Sequence, residues 1–341
     1  MILVTGGTGF LGSHLLYNLC KSGHSVRAIK RKNSSLQLTK KVFSYYDKNP
    51  ETLFSKIEWV EGDVLDIFSL LDALEGIKQV YHTAAIVSFE HSQKDTMMKT
   101  NVNGTANVVN AALEKKVSKL CFVSSIASLG RASGNKPIDE ETHFTNSVNP
   151  SAYSISKFES EREVWRGISE GLNAVIINPS IILGPGNWDD GSAKLFQTVY
   201  KGLKFYTTGS NGFVDVNDVA QVMILLMESR VKNERFIVNA ENVTYKSLFT
   251  MMAEALGVTP PNIKAGSFMS AVYWRVLKAK SLFTGKTPAV TKETANTARQ
   301  HYQYNNKKLL KSIDFEYTPV SESVRRAGEL FLKDKLLEVG F

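Results

Sequence analysis

The chain of 341 residues predicts an α/β fold built on a doubly wound parallel sheet. Three observations predict it. Ile2-Leu3-Val4 is an apolar run with no polar interruption, as in a central parallel strand covered on both faces. A glycine-rich turn follows from Thr5 to Gly12, and an amphipathic helical run follows that over 13–21. Further short apolar runs at 25–29, 57–60, 79–81 and 120–123 are spaced for crossover helices.

The turn is where chemistry first shows. Gly6, Gly7 and Gly9 allow positive φ and close backbone approach, and the next helix presents unpaired N–H groups and the positive end of its dipole. Set between a strand and a helix, the pattern reads as a dinucleotide fingerprint, a seat for a pyrophosphate, ahead of an ordinary glycine turn. The second strand runs into Lys30-Arg31-Lys32, where a fold preferring the non-phosphorylated cofactor usually carries an acid. Arg31, with Lys32 or Lys30 beside it, suits a 2′-phosphate, so NADP is favoured over NAD. For each lysine alone, a solvated loop is an equal reading. Residues 33–55 read as a polar surface excursion with one short helix. Gly62-Asp63-Val64 ends the third strand, and two roles compete for Asp63: acceptor for the adenine amino group, or helix cap.

Composition narrows the class. Hydrophobic residues make up 43% of the chain, enough for a real core, and the length suits one large domain or two smaller ones. Cys20 and Cys121 fall in apolar segments and read as core residues of a reducing compartment, not as a disulfide or metal site. Met1 leads straight into the first strand without the pattern of a signal peptide, and no run is long enough to span a bilayer, so a cytoplasmic protein is expected. The net charge of +8 comes from scattered residues without interleaved aromatics, which argues against nucleic acid and fits an anionic cofactor.

The fourth strand ends in His82-Thr-Ala-Ala-Ile86, where small residues let a ligand lie against the backbone. His82 reads as a packed structural residue rather than an acid. A helix over 96–114 holds the polar cluster Asn101-Val-Asn-Gly-Thr105, costly in a helix interior. Two readings stand: a buried network made by Asn101, and a tight helix crossing at Gly104. The strand 120–123 ends in Ser124-Ser125 at the ligand edge. Farther on, Tyr153 and Lys157 open a long helix with i, i+4 spacing, which places phenol and ammonium on one face. A cation near a phenol lowers the phenol pKa, which suits Tyr153 as general acid to a carbonyl oxygen. Ser125 then donates to the same oxygen, and Lys157 also reaches the nicotinamide ribose.

These pieces together resemble the extended short-chain dehydrogenase/reductase family, also known as the NAD-dependent epimerase/dehydratase family. The resemblance runs over Thr5-Gly-Gly-Thr-Gly-Phe-Leu-Gly12, Gly62-Asp63-Val64, Thr83-Ala-Ala85, Asn101, Ser124-Ser125, Tyr153 with Lys157, Asn178-Pro-Ser180 and Gly184-Pro185. It implies a Rossmann-type domain over 1–178 with returns near 213–240. A smaller, mostly helical substrate domain over 179–212 and 241–341 is implied beside it. Ser125, Tyr153 and Lys157 are the implied catalytic triad, with Ser124 an alternative for the serine. Implied cofactor contacts are Gly6, Thr8, Gly9, Phe10 and Leu11 at the turn, and Arg31 and Lys32 after the second strand. Asp63, Val64, Thr83, Ala84 and Ala85 follow, and Tyr153, Lys157, Pro179 and Ser180 serve the nicotinamide end.

Within the family, sugar-nucleotide members commonly carry an Asn after the Pro-Ser pair and an Arg before the late Val-x-Asp motif, both holding the substrate diphosphate. This chain has Ile181 at the first place, and Asn211 and Gly212 at the second. The 27–31 segment also resembles the NADP-reading turn of dihydroflavonol and cinnamoyl-CoA reductases. The expectation is therefore an NADP-dependent reductase of a ketone or aldehyde. A sugar-nucleotide epimerase or dehydratase using NAD and a non-catalytic NADP-binding sensor are the alternatives.

A run of large apolar residues over 268–283 has three readings: a lid over a hydrophobic ligand, as in members like 3β-hydroxysteroid dehydrogenase, a helix resting on a membrane, or core packing. Core packing stands level with the lid, and membrane contact behind both. The resemblance also implies a homodimer through the helices near 95–114 and 152–170.

Overall fold

The computed structural model describes residues 1–130, 136–144, 150–266 and 298–339. The chain opens with β1 (Ile2–Thr5), α1 (Phe10–Lys21), β2 (Val26–Lys30), α2 (Gln37–Tyr46), α3 (Pro50–Phe54), β3 (Ile57–Glu61), α4 (Ile67–Ala73) and β4 (Gln79–His82). It continues through α5 (Lys94–Met98), a π-helical turn (Lys99–Asn103), α6 (Gly104–Glu114), β5 (Lys119–Val123), α7 (Ala152–Ser169), β6 (Ala174–Pro179) and β7 (Ile181–Leu183). The last part holds α8 (Lys194–Tyr200), β8 (Phe205–Tyr206), β9 (Ser210–Asp215), α9 (Val216–Glu228), β10 (Glu234–Val238), β11 (Glu241–Thr244), α10 (Tyr245–Ala255), β12 (Ile263–Lys264), α11 (Lys307–Ser312) and α12 (Val320–Val339).

Seven strands form one sheet in the order β10-β6-β5-β4-β1-β2-β3, with every pairing parallel. Strand side chains alternate between the two faces, and both faces are covered. Ile2, Val4, Tyr81, Cys121, Val175 and Ile177 face α1 and α9. Leu3, Val80, Leu120, Phe122 and Ile176 face α4, α6 and α7. This double burial explains why the strands read as continuous apolar runs. The order reverses between β1 and β4, which opens a crevice at their carboxyl ends.

Residues 33–55 differ from the expectation of a surface excursion. They form α2 and α3, whose Val42, Phe43 and Phe54 are buried. Phe43 meets Tyr17 of α1 edge to face at 5.4 Å. The apolar residues are few but share one face, so a polar composition hid a core element.

A second core gathers Leu183, Trp188, Phe196, Phe213, Leu248, Met252, Val324 and Phe331 around α8, α10 and α12. The small sheet β11-β9-β7 borders it. Buried acids tie α12 back to the rest of the chain: Asp215 accepts from Ser323 at 2.6 Å, and Asp334 accepts from Tyr45 and Trp188, both at 2.6 Å. Among the described residues no helix is long and apolar enough to cross a membrane. The apolar run 268–283 lies outside the described residues.

Candidate active site

Two loops meet at the crevice between β1 and β4. Gly6 has φ +73°, and a Cβ there would meet the Ala84 nitrogen at 2.6 Å. Thr83 bonds its hydroxyl to the Thr5 carbonyl at 2.7 Å and locks the second loop to β1. A Cβ on Gly12 would lie 2.1 Å from the Gly6 carbonyl oxygen, so only glycine lets α1 start this close to the turn. Gly9 is the N-cap of α1, with no side-chain cap and no acid in the first turn. The first N–H groups of α1 and its dipole are thus left for an anion, and the turn fits the pyrophosphate of a dinucleotide.

Around the turn, Thr8 and Phe10 are half-buried and Leu11 is buried. A Cβ on Gly186 would press on the Phe10 ring at 2.8 Å, and Leu11 packs in the core. Arg31 and Lys32 are exposed just past the carboxyl end of β2. Among the described residues no carboxylate pairs with either. Asp63 does not cap a helix. Its carboxylate accepts from the Leu65 N–H at 2.9 Å, and the cap of α4 is Asp66, which accepts from Phe68. Val64 is buried beside Gly104, where a Cβ would meet it at 2.8 Å.

Both readings of the Asn101 cluster are present together. Gly104 makes that close crossing, and Asn101 holds the Ile86 backbone at both ends, accepting from its N–H at 2.7 Å and donating to its carbonyl at 2.9 Å. A second bond from its amide reaches Ser156 at 3.0 Å. The π-helical turn over Lys99–Asn103 absorbs the irregularity. His82 is buried between the hydroxyls of Thr5 at 2.7 Å and Thr105 at 3.0 Å, a packed structural position.

Ser151 caps α7 by accepting from Ser154 and sets Tyr153 in its first turn. The Ser125 side chain lies near enough to the Tyr153 phenol to favour the phenolate, and Ser125 accepts from the Ala127 N–H at 3.1 Å. Ser124 points the other way and donates to Glu161 at 2.7 Å. Lys157 is buried, donates to the Val123 carbonyl at 2.7 Å and lies 5.1 Å from the centre of the Phe122 ring.

The electrostatics correct the expectation of a phenol lowered by Lys157. Burial pushes the Tyr153 phenol up, and Ser125 only partly offsets it. Lys157 itself is pulled down to about 8 by burial, with Glu161 opposing that shift. Desolvation sets the sign for the phenol, and the Lys157 ammonium, held on the Val123 carbonyl, is not among the groups that shift it.

Pro179 closes β6 and Ser180 follows it, both buried. The Asn178 Oδ1 and Ser180 Oγ atoms are buried without a partner at this end of the crevice. Such orphaned polar atoms fit a site that a polar ligand completes. Two features escaped the sequence. Phe89, exposed, sets its ring against Tyr153 at 5.6 Å. Glu161, one helical turn beyond Lys157, gathers a polar network, and the i, i+4 spacing was its only signal.

A model of the NAD dependent epimerase/dehydratase family matches residues 2–239. The putative dihydroflavonol 4-reductase of Synechocystis sp. is 25% identical over 338 residues, covering 96% of this chain and 93% of that protein. Sterol demethylase protein B of Methylococcus capsulatus is 30% identical over 269 residues, 76% of each chain. The crystal structure of gox2253 has a TM-score of 0.80 at 30% identity, over 98% of both chains. With the parallel sheet and the glycine turn described above, the match over residues 2–239 places this enzyme in the NAD-dependent epimerase/dehydratase family of extended, NAD(P)-dependent short-chain dehydrogenase/reductases.

Proposed function

We propose that the protein is an NADP-dependent reductase that turns the ketone or aldehyde of a small or hydrophobic substrate into an alcohol. The observation that carries this choice is Gly212. A Cβ there would meet Asn239 Oδ1 at 2.2 Å and Ser180 at 2.9 Å, so the place where sugar-nucleotide members set an arginine has no room for one. The neighbouring Asn211 is engaged with the Tyr245 hydroxyl at 3.3 Å. Ile181, at the other diphosphate position, is half-buried and apolar. A diphosphate would find no cation at either place. The exposed Phe89 ring beside Tyr153 presents apolar surface to the reacting end instead. The relationship to the Synechocystis protein points the same way.

When bound, the cofactor supplies the hydride. In this reading Gly6, Thr8 and Gly9 with the first turn of α1 take the pyrophosphate, Arg31 and Lys32 the 2′-phosphate, Asp63 and Val64 the adenine. Thr83, Ala84 and Ala85 flank the cofactor, and Pro179 and Ser180 meet its nicotinamide end. Tyr153 donates its proton to the carbonyl oxygen, and its raised pKa keeps that proton in place until charge develops. Ser125 hydrogen-bonds the same oxygen, and Lys157 holds the ribose and replenishes the proton. The same proposal divides the chain into a cofactor domain over 1–178 with the 213–240 return and a substrate domain from the remainder. It also pairs two copies through the helices near 95–114 and 152–170.

Equilibrium binding of NADPH, NADH and UDP-glucose tests it. We expect NADPH to bind best, Arg31→Ala to weaken it by roughly ten- to hundredfold by removing a charge-assisted contact, and UDP-glucose not to bind. Tight NADH binding together with UDP-glucose would overturn the reading in favour of an epimerase.

A further inference from the structure

Behind the candidate catalytic residues lies a buried carboxylate that the reaction scheme leaves unused. Glu161 is 2% exposed, and a buried carboxylate is costly unless its lone pairs are filled. Here they are filled from five sides. Oε2 accepts from Ser124 at 2.7 Å, Ser128 at 2.8 Å and the Asn178 amide at 3.0 Å. Oε1 accepts from Arg235 at 3.0 Å and Trp165 at 3.3 Å.

The same donors hold Ser125. Its carbonyl accepts from the Asn178 amide at 3.1 Å, and the single proton of the Ser128 hydroxyl is shared between this carbonyl and Glu161 Oε2, each at 2.8 Å, while the Ser124 N–H is fixed on the Ile177 carbonyl at 2.8 Å. The turn that aims Ser125 at the Tyr153 phenol therefore rests on the Glu161 carboxylate. Along α7, Tyr153, Lys157 and Glu161 follow at i, i+4 and i+8 on one face.

We propose that Glu161 is a positioning residue for the reaction, its carboxylate holding the Ser124–Ser128 turn in register and acting as the buried counter-charge of Lys157. This rests on the reading above that Ser125, Tyr153 and Lys157 do the chemistry. An amide in place of the carboxylate brings donors against the Asn178 amide or against Arg235, so the network has to re-sort. It also removes the negative charge that opposes the burial shift of Lys157.

The other groups around this pair are accounted for. His82 on β4 is neutral, its pKa pushed down to about 3 by burial and by the Lys157 charge. Tyr153 on α7 is protonated. On β10, Arg235 pairs with Glu161 on the side where its guanidinium also donates to the Glu140 carbonyl. The Glu140 carboxylate is turned to the Ile237 N–H at 2.8 Å. Glu161 is thus the one carboxylate acting on Lys157 among the described residues.

The test titrates Lys157 in chains labelled with 13C at lysine Cε, by NMR, with Lys157→Met to assign the resonance. NADPH turnover with trans-cinnamaldehyde as the carbonyl probe is measured alongside. In Glu161→Gln we expect the Lys157 midpoint to fall by a pH unit or more, the alkaline limb of the kcat profile to move down with it, and kcat to drop at least tenfold. The NADPH Kd stays within threefold. A Lys157 midpoint within 0.3 of the parent's, read as roughly no electrostatic coupling, overturns the proposal.

Should Glu161→Gln fail to fold, Glu161→Asp keeps the charge and withdraws it by one methylene. A tenfold loss of kcat at unchanged KM, with Lys157 little moved, supports the positioning role, and unchanged kcat overturns it. Failure of the parent chain to turn over any carbonyl tells against the reductase reading alone, because the Lys157 titration is read without substrate.

Discussion

Lowering the pH from 7.5 to 5 is expected to remove about 4 kcal/mol of folding stability through two histidines, about 2 kcal/mol each. His14 and His82 are buried at 0% and 1% exposure, and burial pulls their pKa values down to about 4 and about 3. Each is satisfied as the neutral ring. The Thr105 hydroxyl is spent on the Asn101 carbonyl at 2.6 Å, so His82 Nε2 donates to Thr105 and Nδ1 accepts from Thr5. His14 Nε2 donates to the Pro185 carbonyl at 2.9 Å and Nδ1 accepts from Tyr46 at 2.9 Å.

Both folded pKa values lie below the unfolded value of about 6.5, so this stability is complete above that value and is lost as pH falls. At pH 5 the unfolded rings are roughly thirtyfold protonated and the folded ones are not, which gives about 2 kcal/mol apiece and depends little on the exact folded values. Asp218, raised to about 6 by burial, works in the opposite sense. Its effect cancels when variants are compared. Urea unfolding at both pH values, followed by fluorescence, should show the parent losing about 4 kcal/mol more than His14→Gln/His82→Gln, with each single variant halfway. A difference under about 1 kcal/mol would refute the reasoning.

Three further outcomes are expected. Gly12→Ala brings a Cβ to 2.1 Å from the Gly6 carbonyl, so the chain should lose dinucleotide binding, and unaltered NADPH affinity would contradict the fit of the turn. Tyr153→Phe should lower kcat by about 10²–10⁴ while keeping NADPH affinity, whereas a sensor that needs no catalysis would keep its response to its partner. The two serines should separate by kind: Ser125→Ala lowers kcat and costs only the cap on the Ala127 N–H, about 0.5–2 kcal/mol, and Ser124→Ala, facing Glu161, lowers the unfolding free energy by the cost of a lost charge-assisted bond, about 1.5–3 kcal/mol.

What the sequence determined by itself was local. A strand with both faces covered shows as an apolar run, so β1, β2, β4 and β5 and their parallel class were legible. The glycine turn read from Gly6, Gly7 and Gly9 was legible because a tight strand-to-helix turn calls for close backbone approach, and Tyr153 with Lys157 because one helical turn brings i and i+4 together. Tertiary structure decided whatever depends on partners distant in the chain. It turned Ser125 toward the phenol and Ser124 toward Glu161, put α2 and α3 into the core, and gave the helix cap to Asp66 rather than Asp63. It also set the sign of the Tyr153 shift, since burial is a property of the whole packing, while the ammonium that the i, i+4 spacing had put first is not among the groups that shift it. The Glu161 network has the same origin: its donors come from β6, β10, α7 and the turn after β5, and only the folded chain brings them to one carboxylate.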